Sequence, residues 1–371
     1  MVNKMKVIIA AGGTAGHINP GLAIAQHIKT KHPDAEIMFV GRKEGMEYGL
    51  VTKAGYPFAH MEVTGFQRRM TLNNIKRNIV TVKNLLTASS KAKKIINDFK
   101  PDLVIGTGGY VCGPIVLQAS KMGIKTAIHE QNAFPGVTNK LLSKTVDYVF
   151  VATEKASGYM AHPEKCIVCG NPVRAEVRKA DVAESRKKLG VEGKTVLLSF
   201  GGSLGAMAVN NAMKDLVLHN RNRDDVVHYH VVGRYDEGEF EAFLKENNIE
   251  QSENLQVFEY LYDIPEYMAA ADIIISRCGA LTIAEIGCIG KASILIPSPN
   301  VAENHQFHNG KVLADIGAAI LIEEKDLNKQ SITQAFDSLY ADRTRTAQMG
   351  QTAKSVYKSD CLDIIYSHLF Q

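Results

Sequence analysis

Two consecutive α/β domains, each built on a doubly wound parallel sheet, are the architecture this sequence predicts. Three observations carry that expectation. At 371 residues the chain is too long for one ordinary core and suits two. Short apolar runs alternate with longer amphipathic stretches, the pattern of strands joined by crossover helices and covered on both faces. The pattern also starts twice, since a strand leading into a Gly-Gly turn occurs at residues 6–13 and again at 195–202.

Taken in order, residues 6–10 are the opening strand, and a helix is expected from near Pro20, carrying Leu22, Ile24, Ala25 and Ile28. Further strands are expected at 36–40, 102–106, 126–129 and 148–151. The second half repeats the scheme with strands at 195–200, 227–232, 272–276 and 292–297. The boundary falls near Asn171 to Arg174, giving a first domain of residues 1–172 and a second of 173–351. Residues 352–371 read as one closing helix that packs back on the first domain.

Composition narrows the function classes. Hydrophobic content is 45% and charged content 22%, ordinary for a soluble globular protein. A formal net charge of +4 is too small to imply nucleic acid. The six cysteines are scattered, and Cys166 and Cys169 form an isolated C-x-x-C with no second pair for a zinc site. No metal and no cofactor are expected. The apolar run at 7–11 is too short for a signal-peptide core and no stretch approaches the ~20 apolar residues of a membrane span. A cytosolic chain is therefore expected, with any membrane contact peripheral.

The glycine-rich and polar stretches follow strands, where open α/β sheets place their ligands. Gly12-Gly13-Thr14-Ala15-Gly16-His17 comes first. It does not fit G-x-G-x-x-G, and Val40-Gly41-Arg42 puts no acid at the end of the second strand, which counts against a dinucleotide site. His17 stands where a general base would, although a histidine there also caps a helix. Gly106-Thr107-Gly108-Gly109-Tyr110-Val111-Cys112-Gly113-Pro114 lets the backbone lie against something bulky, and alone is a tight turn. His129-Glu130-Gln131-Asn132 can bind sugar hydroxyls, orient a base or cap the next helix. Gly201-Gly202-Ser203-Leu204-Gly205-Ala206 offers amides and a hydroxyl to a diphosphate.

A second helix start, Gly279-Ala280-Leu281-Thr282-Ile283-Ala284-Glu285, can take phosphate charge on its free amides, with Glu285 near the first turn able to accept from a ribose diol. There Glu285 also reads as a dipole-stabilising acid. Asn304-His305-Gln306-Phe307-His308-Asn309 points polar groups from a loop, and no ligand set completes a metal site with His305 and His308. Between residues 66 and 94 lie Arg68, Arg69, Lys76, Arg77, Lys83, Lys91, Lys93 and Lys94, interleaved with apolar residues. That stretch suits an anionic membrane surface or a helix with its apolar face in the core.

Together with Gly170-Asn171-Pro172-Val173-Arg174 and Arg277-Cys278, these motifs in this order resemble the MurG glycosyltransferases of peptidoglycan synthesis over nearly the whole chain. The resemblance implies the GT-B fold, two Rossmann-like domains facing a cleft. It implies an inverting transfer of N-acetylglucosamine from UDP-N-acetylglucosamine to lipid I, undecaprenyl-pyrophosphoryl-MurNAc-pentapeptide, forming lipid II at the cytoplasmic face of the membrane. It gives the first domain the acceptor and the second the donor. Glu285 would hold the ribose and the backbone near Leu261 would read the uracil. Ala280, Leu281, Thr282, Ile283, Ala284 and Ser203 would hold the diphosphate. Gln306, Asn132, Arg174 and the Thr14-Ala15-Gly16 turn would contact the donor sugar or its phosphates, with His17 as the catalytic residue. One departure is Ala15, where many members carry glycine, and it is tolerable only if its φ is negative. The alternatives are a UDP-sugar-dependent diacylglycerol glycosyltransferase, a UDP-sugar epimerase, and a binding scaffold without turnover.

Overall fold

A computed structural model describes residues 4–63, 88–202 and 204–370. Ser203 and most of the basic stretch, including Arg68, Arg69, Lys76, Arg77 and Lys83, lie outside the described residues. The chain divides into two compact units, residues 1–172 with 359–371, and residues 173–358.

The first unit has a seven-stranded sheet in the order β3-β2-β1-β4-β5-β6-β7, every pairing parallel. Its strands are β1 (Lys6–Ala11), β2 (Glu36–Gly41), β3 (Phe58–His60), β4 (Leu103–Gly108), β5 (Lys125–Glu130), β6 (Tyr148–Val151) and β7 (Cys166–Val168). Its helices are α1 (Ala15–Lys31), α2 (Met46–Lys53), α3 (88–99), α4 (Cys112–Lys121), α5 (Val137–Leu142) and α6 (Glu154–Ser157). Alternation along β1 shows why both faces must be covered. Val7, Ile9 and Ala11 enter one core, and Ile8 and Ala10 enter the other. On α3, Ala88, Ala92 and Ile96 are buried at helical spacing, while Lys91, Lys93 and Lys94 are exposed.

The second unit has a six-stranded parallel sheet, β10-β9-β8-β11-β12-β13. These are β8 (Thr195–Phe200), β9 (Val226–Val231), β10 (Leu255–Phe258), β11 (Ile273–Ser276), β12 (Ala292–Leu295) and β13 (Ile320–Leu321). Around them lie α7 (Ala175–Arg178), α8 (Val182–Lys188), α9 (Met207–Asn220), α10 (Glu239–Glu246), α11 (Ile264–Ala270), α12 (Ala280–Ile289), α13 (His305–Ala314), α14 (Lys329–Tyr340) and α15 (Arg343–Ser355). A last helix, α16 (Cys361–Phe370), belongs to the first unit, with Leu362, Ile365 and Leu369 in its core.

Two local expectations fail. The opening helix starts at Ala15, so Pro20 sits inside it. The proline removes one amide from the ladder, and the carbonyl left without it belongs to Gly16, in the first turn. The single closing helix is two. α15 stays with the second unit, where Ala353 packs in its core, and residues 356–360 break the path before α16 joins the first. Serving two different cores requires that break.

Each strand order reverses at one point, between β1 and β4 and between β8 and β11. In open α/β sheets the crevice at the carboxyl ends of such a pair binds ligands.

The second sheet buries an unusual pair. His228 and His230 on β9 are 3% and 0% exposed and share the Ser199 hydroxyl at 2.8 Å each. Burial holds His228 down to about 3 and His230 well below the usual histidine range. The unfolded chain therefore binds more protons than the folded one below pH ~6.5, and stability falls with acidity by up to about 1.4 kcal/mol per pH unit per histidine. The urea midpoint is expected to drop between pH 7 and pH 5.5. A midpoint constant over that range would contradict the assignment.

Candidate functional site

At the first reversal, three loops meet around His17. Thr14 caps α1, and its carbonyl accepts from the His17 and Ile18 amides at 3.0 and 3.2 Å. Residues 14–16 are thus the opening of a helix rather than a free turn. Ala15 is its first residue and is absent from the positive-φ positions, whereas Gly13 has φ 89°. The methyl group at Ala15 therefore brings no backbone strain.

Gly108 and Gly109 press against this opening. Gly108 has φ 121°, and a β-carbon there would lie 2.3 Å from His17 Nδ1. A β-carbon at Gly109 would lie 2.3 Å from the Gly12 carbonyl oxygen. Thr107 Oγ1 donates to the His17 carbonyl at 2.8 Å. Cys112 is structural, with its thiol pushed up to about 12 by burial and donating to the carbonyls of Ala10 and Gly108.

Gln131 orients the imidazole. Its Nε2 donates to the carbonyl oxygens of Thr107 at 2.8 Å and His129 at 3.0 Å. Carbonyls only accept, so the amide orientation is fixed and Oε1 faces His17 Nδ1 at 3.1 Å. Nδ1 then carries the proton and Nε2 keeps its lone pair, the tautomer a base requires. The neighbouring Glu130, 1% exposed, accepts from Asn132 N and Nδ2, Gly136 N and Asn139 Nδ2, which fixes the loop presenting Asn132.

Sequence reading missed Glu47. This buried carboxylate on α2 accepts from the Arg42 and Gly13 amides and supports the first glycine turn. The glycines at 41 and 45, whose β-carbons would collide with it, were the available signal.

The second reversal gathers the other group. Gly202 and Gly205 turn the chain after β8 with φ 99° and 86°, and a β-carbon at Gly205 would lie 2.1 Å from the Val232 carbonyl oxygen. Next to it β11 leads into α12, with Gly279 extended at φ −64°, ψ 135° as its cap. Such a start directs its opening amides and positive dipole outward, so Ala280 to Ala284 stand where phosphate charge is welcome.

Glu285 lies in the second turn of α12, since the first turn carries no acid. The dipole-stabilising explanation is therefore weak. The side chain instead meets Arg174, whose Nε and Nη2 donate to Oε1 at 3.0 and 2.9 Å. Burial pushes the Glu285 carboxyl above its usual range, and Arg174 pulls it part of the way back.

Gln306, on the first turn of α13, accepts from the Ser298 amide at 2.9 Å. The two residues before that helix, Glu303 and Asn304, hold φ 53° and 49°, a left-handed kink of the kind that clusters at binding loops. Leu261 is half-buried in the loop after β10. His305 and His308 belong to no group of three possible metal ligands among the described residues.

Residues 7–151 match the glycosyltransferase family 28 N-terminal domain and residues 196–363 the glycosyltransferase family 28 C-terminal domain. The crystal structure of Acinetobacter baumannii MurG superposes with a TM-score of 0.76 at 26% identity, covering 99% of both chains. The UDP-N-acetylglucosamine–N-acetylmuramyl-(pentapeptide) pyrophosphoryl-undecaprenol N-acetylglucosamine transferase of Acetivibrio thermocellus is 42% identical, over 98% of this chain and 96% of that one.

This chain belongs to the MurG family.

A Listeria monocytogenes MurG-family transferase of the same name is also 42% identical, over 96% of both chains. The two parallel-sheet units are the two halves of the GT-B fold that MurG proteins share. In this MurG-family chain His17, Thr14, Ala15, Gly16 and Asn132 belong to the first unit. Arg174, Leu261, residues 280–285 and Gln306 belong to the second.

Proposed function

We propose that this chain transfers N-acetylglucosamine from UDP-N-acetylglucosamine to the lipid-linked N-acetylmuramyl-pentapeptide, with inversion at the sugar carbon. The observation that carries the mechanism is the His17–Gln131 contact, which leaves a histidine lone pair at the β1–β4 reversal. His17 Nε2 takes the proton of the acceptor hydroxyl as that oxygen bonds to the anomeric carbon. The bond from that carbon to the UDP oxygen breaks, and the leaving diphosphate keeps the electron pair. The opening amides of α12 stabilise the charge that develops there. Glu285 accepts from the ribose hydroxyls, Arg174 holds its carboxylate in place, and the backbone near Leu261 reads the uracil. Asn132 and Gln306 contact the donor sugar.

The acceptor's undecaprenyl chain fits a peripheral position at the cytoplasmic face of the membrane. The exposed lysines of α3, at 91, 93 and 94, support contact with anionic lipid. No helix among the described residues is long and apolar enough to cross a membrane.

The test is radiolabelled UDP-N-acetylglucosamine offered with a lipid I analogue and, separately, with diacylglycerol. Label in the first product supports the proposal, and label only in the second would replace it. A narrower expectation concerns Glu285→Ala. Losing two charge-assisted hydrogen bonds, each worth about 1.5–3 kcal/mol, raises the donor KM by about a hundredfold or more. Unchanged donor binding by calorimetry would remove the ribose role.

A further inference from the structure

We infer that His129, Cys169 and Cys361, together with the Gly170 carbonyl, form a site for a soft divalent cation of the zinc type. The three side chains come from distant parts of the first unit: the end of β5, the segment after β7 and the first residue of α16. All are buried, at 0%, 0% and 2% exposure. Their donor atoms lie within 4.8 Å of one another.

The Gly170 oxygen makes a fourth corner. It lies 2.9 Å from His129 Nε2, 3.3 Å from Cys169 Sγ and 3.4 Å from Cys361 Sγ. Tetrahedral zinc, with bonds of about 2.0–2.3 Å, places its ligand atoms roughly 3.4–3.8 Å apart. The three distances to the Gly170 oxygen are therefore within about half an ångström of those a zinc ion needs. As hydrogen-bond donors, the three groups crowd a carbonyl that has two lone pairs. As ligands, they present two sulfurs, one nitrogen and one oxygen to a single centre. Thiolate with imidazole favours zinc over magnesium or calcium, which prefer oxygen.

Binding balances as follows. Both thiols release their protons to solvent, and the Nε2 lone pair of a neutral His129 joins the metal, with its proton on Nδ1. Nδ1 lies 3.0 Å from Gln131 Nε2, so it must then find an acceptor. The Gln131 amide cannot turn to supply one without setting Oε1 against the Thr107 and His129 carbonyls, so filling the site displaces this side chain and loosens its contact with His17. An occupied site therefore removes the acceptor that keeps the proton on His17 Nδ1. The ion would also fasten α16 to the sheet of the first unit.

The experiment loads the reduced full-length chain with cobalt(II) or zinc and removes the excess. One metal per chain is expected by elemental analysis, and the cobalt form should show thiolate-to-cobalt charge-transfer absorption. Both signals are lost in Cys361→Ser and kept in Cys166→Ser, and the wild-type cobalt spectrum counts thiolates without relying on any variant. Zinc loading should lower kcat by roughly tenfold, less than the 10²–10⁴-fold of a lost general base, because His17 remains but its tautomer is no longer held. The site is overturned if the reduced chain takes up no metal, if Cys361→Ser binds as well as wild type, or if the chain only forms a Cys169–Cys361 disulfide. Stoichiometric zinc with unchanged kcat overturns the link to His17.

Discussion

His17→Ala is expected to lower kcat by about 10²–10⁴-fold, the usual contribution of a positioned general base. The donor KM should stay within a few-fold. The asymmetry follows from which unit holds which group. His17 is part of the first unit, while Glu285, Arg174 and the α12 start belong to the second. Removing the imidazole leaves the proposed nucleotide contacts intact. It also takes away the one lone pair that the Gln131 amide prepares, through Nε2 bonds to two carbonyls and an Oε1 contact at 3.1 Å. Steady-state kinetics with donor and acceptor varied separately decide the matter. A variant turning over within threefold of wild type would take His17 out of the mechanism.

Gly108→Ala should be nearly as damaging to turnover, although residue 108 is assigned no contact with either substrate. Two effects add. At φ 121° an alanine pays backbone strain of about 1–3 kcal/mol. Its methyl group also falls 2.3 Å from His17 Nδ1, inside any van der Waals contact, so the ring must leave its place beside Gln131. The expected result is a folded chain with a Tm lower by several degrees and a kcat loss approaching that of His17→Ala. Gly123→Ala is the control. It also has positive φ, 73°, but nothing lies within 4 Å of the added carbon. It should lose stability and keep kcat. Equal kcat losses in both variants would mean that strain alone, and not the displaced histidine, lowers turnover.

The central strands were legible because each is a continuous apolar run buried on both faces, as at β1 and β8. The strands that sequence reading passed over are β3, β7, β10 and β13, all at or near sheet edges. They are two to four residues long and mostly half-buried, so no apolar run marks them. The closing helix was read as one because residues 356–360 contain neither glycine nor proline. The break there is imposed by two cores competing for the chain, and local propensity does not record that.

By itself the sequence determined the two-unit parallel architecture, the glycine turns after β1, β4 and β8, and the placing of His17 and the α12 start at carboxyl edges. Those features are local, set by which residues allow a tight turn and which bury a strand. Only the tertiary structure decided partners. Gln131 meets His17 across 114 residues, Arg174 meets Glu285 across 111, and Cys361 meets the Gly170 carbonyl across 191. Such pairings depend on parallel register and on the path of the last helix. The same register sets the histidine after β1 beside an orienting amide, and brings a cysteine that looked like scattered packing to a carbonyl shared with His129 and Cys169.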